Sequence, residues 1–183
     1  QSVGLHPNQA APAAKLIRRA WFDLLGLPPS PDEMAHWTAR LTEGQAAGDI
    51  NPTAWSELLD KLLNSRHFGE RWARHWLDVA RFAESHGYEQ DYDRPTAYHY
   101  RDFVIKAIND DLPYNTFVKW QLAGDELAPD NPLAWMATGF LGAGAFPTQL
   151  TEKEFESARY DELDDMVATT GVAFLGLSIG CAR

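Results

Sequence analysis

Residues 65–102, SRHFGERWARHWLDVARFAESHGYEQDYDRPTAYHYRD, decide how the rest of the chain is read. At about 100° per residue, Phe68, Trp72, Trp76, Val79 and Ala83 fall on one stripe, which predicts a helix from Ser65 to Ala83 buried along that face. Arg74, Asp78 and Arg81, at i, i+4 and i+7, form a second row beside it, in which one carboxylate reaches a guanidinium above and another below. Ser85-His86-Gly87 then breaks the helix into a polar, aromatic loop, and Pro95, suited to a first helical turn, restarts it. His67, His75, His86 and His99 all lie in this stretch, so side-chain chemistry is expected here or at the last residues of the chain.

Working outward from it, residues 1–12 carry no period and read as linker. A helix over Ala13 to Leu25 buries Leu16, Ile17, Ala20 and Leu24, and Gly26 with Pro28-Pro29 closes it. Ser30-Pro31-Asp32-Glu33 is a capping box that opens a helix to Leu41. Asn51-Pro52 starts another, with Trp55, Leu58, Leu59, Leu62 and Leu63 along its apolar face. Downstream, Tyr100, Phe103, Val104, Ala107 and Ile108 mark a helix that ends at Asp110-Asp111. Asn115 or Thr116 caps a short one carrying Phe117, Trp120 and Leu122, and Asn131-Pro132 starts one with Trp135, Met136 and Phe140. Thr151 to Glu154 is a second capping box, opening a last helix to about Leu177 that buries Tyr160, Leu163, Val167, Thr170 and Phe174. No segment alternates with period two and no fixed repeat is visible. The expected class is all-α, an irregular multi-helix bundle of about eight helices without a sheet, as a single helical domain over residues 13–180.

The chain has 183 residues, 45% of them hydrophobic, enough for one domain with a core, and its apolar runs fall well short of the roughly 20 residues a bilayer span needs. Sixteen basic against 26 acidic residues leave a formal charge of -10, which argues against nucleic acid as a partner, because phosphate neutralisation needs clustered Lys and Arg. One cysteine, Cys181, excludes an internal disulfide. The opening QSVGLHPNQAAPAA has no charged segment leading into an apolar one and reads as a cut inside a longer protein.

Beside Asp78, His75 is a candidate oriented base or metal or haem ligand, since a carboxylate on one ring nitrogen sets the tautomer of the other; the plainer reading is a satisfied core histidine. His99 and Asp102 repeat that i, i+3 spacing. Candidate acid–base groups are Asp78, Glu89 and Asp91, and a binding surface is expected from Arg74, Arg81, His86, Tyr88, Tyr92 and His99, with the loop from Glu84 to Arg94 packed on the Arg74-Asp78-Arg81 row. Asp161, Asp164 and Asp165 share one flank of a helix, where they suit a hard cation or the guanidinium of Arg71, Arg74 or Arg81; the plainer reading is a solvated face. No phosphate loop, H-E-x-x-H or G-x-S-x-G occurs, so nucleophilic catalysis has no candidate. On these residues alone a polysaccharide-binding or hydrolytic domain, with Tyr88, Tyr92, Tyr98, Trp72 and Trp76 stacking on sugars, stands beside a structural docking domain for adjoining domains.

The stretches LIRRAWFDLLGLPPSPDE, HFGERWARHWLDVARFAESHGYE, YHYRDFVIKAINDDLPY, QLAGDEL and ARYDELDDMVATTGVAFLGLSIGCAR together resemble the planctomycete cytochrome-associated domain of unknown function, over nearly the whole chain from Leu16 on. That domain occurs in large secreted proteins, often after a cytochrome c module. Its last motif usually continues from Gly180-Cys181-Ala182-Arg183 into a second cysteine and a histidine, giving C-x-x-C-H; here residues 181–183 are only the start of it. The resemblance therefore implies an extracytoplasmic, periplasmic or secreted, module of a haem-c-linked protein serving electron transfer or a redox step. It implies no haem on this fragment, and in the longer parent a haem on Cys181 with His75 as candidate ligand. The segment after Leu177 is expected to be loosely held.

Overall fold

In the first third of the chain the helices that follow Ser30 and Asn51 both start at a side-chain cap, whereas the one that follows Pro12 starts without one. Ser30 Oγ accepts from the Glu33 amide at 3.2 Å while Glu33 Oε2 accepts from the Ser30 amide at 3.0 Å, so two otherwise orphaned donors are satisfied reciprocally. Asn51 Oδ1 accepts from the amides of Thr53 and Ala54 at 3.0 and 3.2 Å. Stops are as local: Gly26 adopts φ 70°, a left-handed conformation that costs a side-chain-bearing residue dearly, and its N–H closes on Phe22 O.

The structure, a computed structural model, describes residues 11–46, 48–88 and 90–180. Its helices are α1 (Ala13–Leu25), α2 (Pro31–Thr42), α3 (Pro52–Leu63), α4 (Arg66–Val79), α5 (Tyr98–Asn109), α6 (Tyr114–Leu127), α7 (Pro132–Ala137) and α8 (Phe155–Thr170). A 3-10 turn, Thr138–Phe140, follows α7, and a π-helix, Gly171–Leu175, follows α8. Among the described residues there is no strand, only one antiparallel bridge between Ser85 and Asp93, and no helix long and apolar enough to cross a membrane. The fold is all-α. Within the span read as one helical domain, the chain forms two compact units, residues 1–71 and 72–183.

In the first unit α1, α2 and α3 enclose Ile17, Trp21, Trp37, Leu41, Leu58 and Leu62. Lys61 crosses the polar side of this core, with its ammonium 5.8 and 5.9 Å from the ring centroids of Trp21 and Trp37 and 3.1 Å from Glu33.

In the second unit α4 buries a different stripe from the one its aromatic residues suggest. Ala73 and Ala80 are buried and Trp76 and Leu77 are partly so, whereas Trp72 and Val79 are 42% and 41% exposed. The stripe 73, 76, 77, 80 has the same helical spacing as the stripe 68, 72, 76, 79, so periodicity alone does not choose between them. Two alanines let neighbouring side chains approach closely, and the Trp76 indole N–H must find acceptors, which stand on α5 and α6. α4 also ends at Val79, before Arg81, which has φ 58°, and α5 begins at Tyr98 after a turn over Pro95–Ala97.

α8 departs from expectation too. Tyr160, Leu163 and Val167 are 61%, 45% and 58% exposed, although Phe174, on the same stripe by sequence, packs on Trp76 and Phe140 with ring centroids 5.5 and 4.9 Å away. Phe174 lies inside the π-helix, whose wider turn takes it off the stripe that the 100° step draws through α8. Its capping box is half formed: Glu154 Oε2 accepts from the Thr151 amide at 3.0 Å, and the helix starts after it.

Candidate functional site

The loop after α4 is a small hairpin. His86 N–H donates to Tyr92 O at 3.0 Å and Arg94 N–H to Glu84 O at 2.7 Å, with the reversal at Gly87 and Tyr88, both at positive φ. Asp91 Oδ1 accepts from the Gly87 amide at 2.7 Å; a bond from Ser85 and then this amide hold its carboxyl below the usual carboxylate range. The acid–base candidate Asp91 is thus spent on closing its own loop.

Arg94 fastens this hairpin to residues 142–148. Its Nη1 donates to Gly142 O and Ala143 O at 3.2 Å each, its Nη2 to Gly144 O at 2.6 Å and its Nε to His86 Nδ1 at 3.2 Å. The last bond makes Nδ1 an acceptor, which assigns the proton of the neutral ring to Nε2. Burial lowers the Arg94 guanidinium from its usual value, with Glu162 acting in the other direction. Phe146 N–H to His86 O at 3.1 Å and Thr148 Oγ1 to Gln90 O at 3.2 Å complete the seam.

Between the hairpin, the start of α5 and the 135–143 stretch lies an open cleft of about 620 Å³. Phe82, Pro95, Tyr100, Trp135 and Met136 supply its apolar wall, and His86, Asp93, Thr96 and His99 its polar one. Tyr100 is fixed from below. Its O–H donates to Gln121 Oε1 at 2.7 Å, Trp76 Nε1 donates to Gln121 Oε1 at 2.8 Å and to Tyr100 Oη at 3.0 Å, and Gln121 Nε2 donates to Phe117 O at 3.0 Å. Burial pushes the Tyr100 phenol above its ordinary value, the Trp76 bond opposing, so it acts as a neutral donor. A second cavity of about 260 Å³ is lined by Arg81, Tyr88, Phe146, Asp161, Glu162 and Asp165, and Arg81 Nη1 pairs there with Asp165 Oδ1.

The expected residues divide accordingly. His86 and His99 meet in the large cleft, and Tyr88 meets Arg81, Asp161 and Asp165 in the small one. The Arg74-Asp78-Arg81 ladder does not form: Arg81 lies beyond the helix and pairs with α8, and among the described residues Arg74 and Asp78, both exposed, make no ion pair. The loop accordingly seats on residues 142–148 rather than on that row, apart from Tyr88 at the Arg81 cavity. His75 is exposed, its ring 5.3 Å from that of Trp72, and is neither a core histidine nor bonded to Asp78. Tyr92 is exposed, and Asp164 is half-buried on α8. Glu89 and Cys181 lie outside the described residues. Among the described residues no three His, Cys, Asp or Glu side chains gather as a metal site.

Up to Gly180 the C-terminal segment is held more firmly than expected. Leu177 N–H donates to Gly171 O at 3.0 Å, and Ile179 lies so close to Gly171 that a Cβ there would stand 2.6 Å from its Cδ1. Sequence reasoning missed Arg94, Asp93, Trp135 and Gln121 as working parts. Arg94 and Gln121 find their partners across 48 to 50 and 21 to 45 residues, and the only local hint was a polar Gln at a helix position between apolar residues.

A family model described as PSCyt2, protein of unknown function (DUF1549), matches residues 1–183. No curated protein and no solved structure matches the chain.

Proposed function

The chain belongs to the PSCyt2 family, whose function is unknown, and from that premise we propose that it is a helical module of an extracytoplasmic, haem-c-linked protein, serving electron transfer or a redox step. The reading rests on the resemblance of the GLSIGCAR end to the start of a haem attachment motif. The observation that carries it furthest is the seating of residues 176–180: anchored on Gly171 through Leu177 and Ile179, this segment leads to an exposed Gly180, the residue before Cys181. Covalent attachment needs thiols that haem can reach, and an anchored, exposed lead-in serves that need.

The described residues do not themselves fit a haem. His75 stands on an exposed face with one indole beside it and lines neither cavity, so an apolar pocket is lacking there. In this reading the haem is held by residues from Cys181 onward, and the second unit is the base on which they are mounted. When bound, c-type haem supplies one-electron chemistry. The test is a longer chain, continued past Arg183 and produced in a host that matures c-type cytochromes. A pyridine haemochrome spectrum and haem staining after denaturation are expected to report covalent haem, lost in Cys181→Ala. A folded longer chain without covalent haem overturns the reading.

A further inference from the structure

The cleft beside the hairpin is a built site that this redox role does not use. At about 620 Å³ it has the volume of a small-ligand pocket, and it does not end at Asp93. An adjoining cavity of about 380 Å³ shares Asp93, Arg94 and Pro95 with it and runs on to Tyr98 and Glu84. Together these adjoining cavities make a groove with an exposed aromatic ring in each part, Trp135 in the first and Tyr98 in the second, which are 54% and 42% exposed.

Both rings are held in place. The Trp135 indole N–H donates to Pro129 O at 2.8 Å, so the ring's one polar atom is already satisfied and its orientation is set, leaving ring surface to offer. Tyr98 lies against the His99 ring, with centroids 4.1 Å apart. The polar groups between them are mixed. His86 presents Nε2–H as a donor, because Nδ1 is taken by Arg94; Asp93 is an acceptor; and the Thr96 hydroxyl acts either way.

Charge narrows the ligand class. The groove's cation, Arg94, has committed bonds to three carbonyls and His86, so it is not presented as a fork for phosphate or carboxylate, and Asp93 stands beside it. A net charge of -10 further disfavours a polyanion. Aromatic platforms in two adjoining open cavities, with donors and acceptors interleaved and no cation presented to an anion, match an uncharged chain of hydroxyl-bearing rings. We propose that this groove binds a neutral oligosaccharide, with one pyranose ring stacked on Trp135 and a later one on Tyr98.

Isothermal titration of the folded chain with cellohexaose, xylohexaose, mannohexaose and laminarihexaose tests this, with tetragalacturonate as the charged comparison. At least one neutral hexasaccharide is expected to bind saturably. Trp135→Ala should weaken it about tenfold, the loss of one stacking contact. Tyr98→Ala should weaken the hexasaccharide by a similar factor, because it removes the second stacking contact. Trp72→Ala, which removes an exposed indole that does not line the groove, should leave binding unchanged, and circular dichroism of each variant reports its fold. The proposal is overturned if none of the four neutral hexasaccharides binds, if Trp135→Ala and Tyr98→Ala bind them as the unsubstituted chain does, or if tetragalacturonate binds as tightly. None of these outcomes touches the haem assay, so the two readings stand or fall separately.

Discussion

The aliphatic centre of the first unit's core needs little but volume: Ile17, Leu41, Leu58 and Leu62 are fully buried, and none carries a polar atom beyond its backbone. The core of the second closes around a polar knot, with Gln121 fully buried and bonded to Trp76, Tyr100 and the Phe117 carbonyl. An apolar core tolerates substitutions of similar volume and loses stability in proportion to what is removed. A buried polar knot behaves otherwise, because each deletion strands the partner left behind. The second unit is also where the cavities of about 620, 260 and 380 Å³ lie, and the knot is the floor under Tyr100 in the one of about 620 Å³.

Leu58→Ala should be the most damaging single change, costing about 3 kcal/mol through lost transfer energy and a cavity. Gln121→Leu preserves volume, and by the logic of the first unit it should be nearly silent. In the second it strands the Tyr100 hydroxyl, and about 2 kcal/mol is expected. Urea unfolding of both variants decides whether the distinction between the cores is real; a silent Gln121→Leu erases it. Pairing it with Tyr100→Phe sharpens the point. Once the phenol is gone there is one less group to strand, so the double variant should cost about 1 kcal/mol less than the sum of the singles.

The same contrast explains what could be read in the sequence. Caps and stops act over three or four residues, so Ser30-Glu33, Asn51-Pro52 and Gly26 set the bounds of α1, α2 and α3 almost to the residue. The face of α4 was not legible, because two stripes of equal spacing competed and the decision lay with acceptors on α5 and α6. The single stripe from α8 to Phe174 was not legible as broken, because a π-turn at Gly171–Leu175 interrupts the 100° step without any residue announcing it. Of the site, His86 and His99 were legible as residues in a polar loop region. Their company was not, since Trp135, Asp93 and the Arg94 clamp come together only through contacts that no local pattern encodes.

Arg94 offers a smaller and more local break. Arg94→Lys keeps the charge but cannot reproduce a planar fork reaching three carbonyls and a ring nitrogen. Hydrogen exchange at the Phe146 and His86 amides, which seal the hairpin and its seam, should speed up about tenfold or more, equivalent to about 1.4 kcal/mol of local stability. The Leu58 amide in the other unit should be unaffected. Unchanged exchange at Phe146 would mean that the backbone bonds hold the hairpin without the clamp.

The smallest expected effect is electrostatic and lies in the first unit. The carboxyl of Glu33 is lowered from its ordinary value of 4.5, first by the bond from the Ser30 amide; burial, the next largest influence, opposes this, and Lys61 and the Ser30 hydroxyl add to the lowering. A carboxyl whose pKa is lower in the folded chain than in the unfolded one adds stability wherever it is ionised in both states. That contribution is complete above the unfolded value and disappears as pH falls through the folded one. Because the side chains of Glu33 and Lys61 are 37% and 49% exposed, solvent screens the pair, and the gain is expected to stay below about 1 kcal/mol. Glu33→Gln should therefore be slightly less stable than the unsubstituted chain at pH 7, and the gap should close on acidification below the ordinary carboxylate range. Urea midpoints of the two chains measured from pH 7 to pH 3 check it. A gap that persists at pH 3 would assign the effect to the geometry of the capping box rather than to the charge.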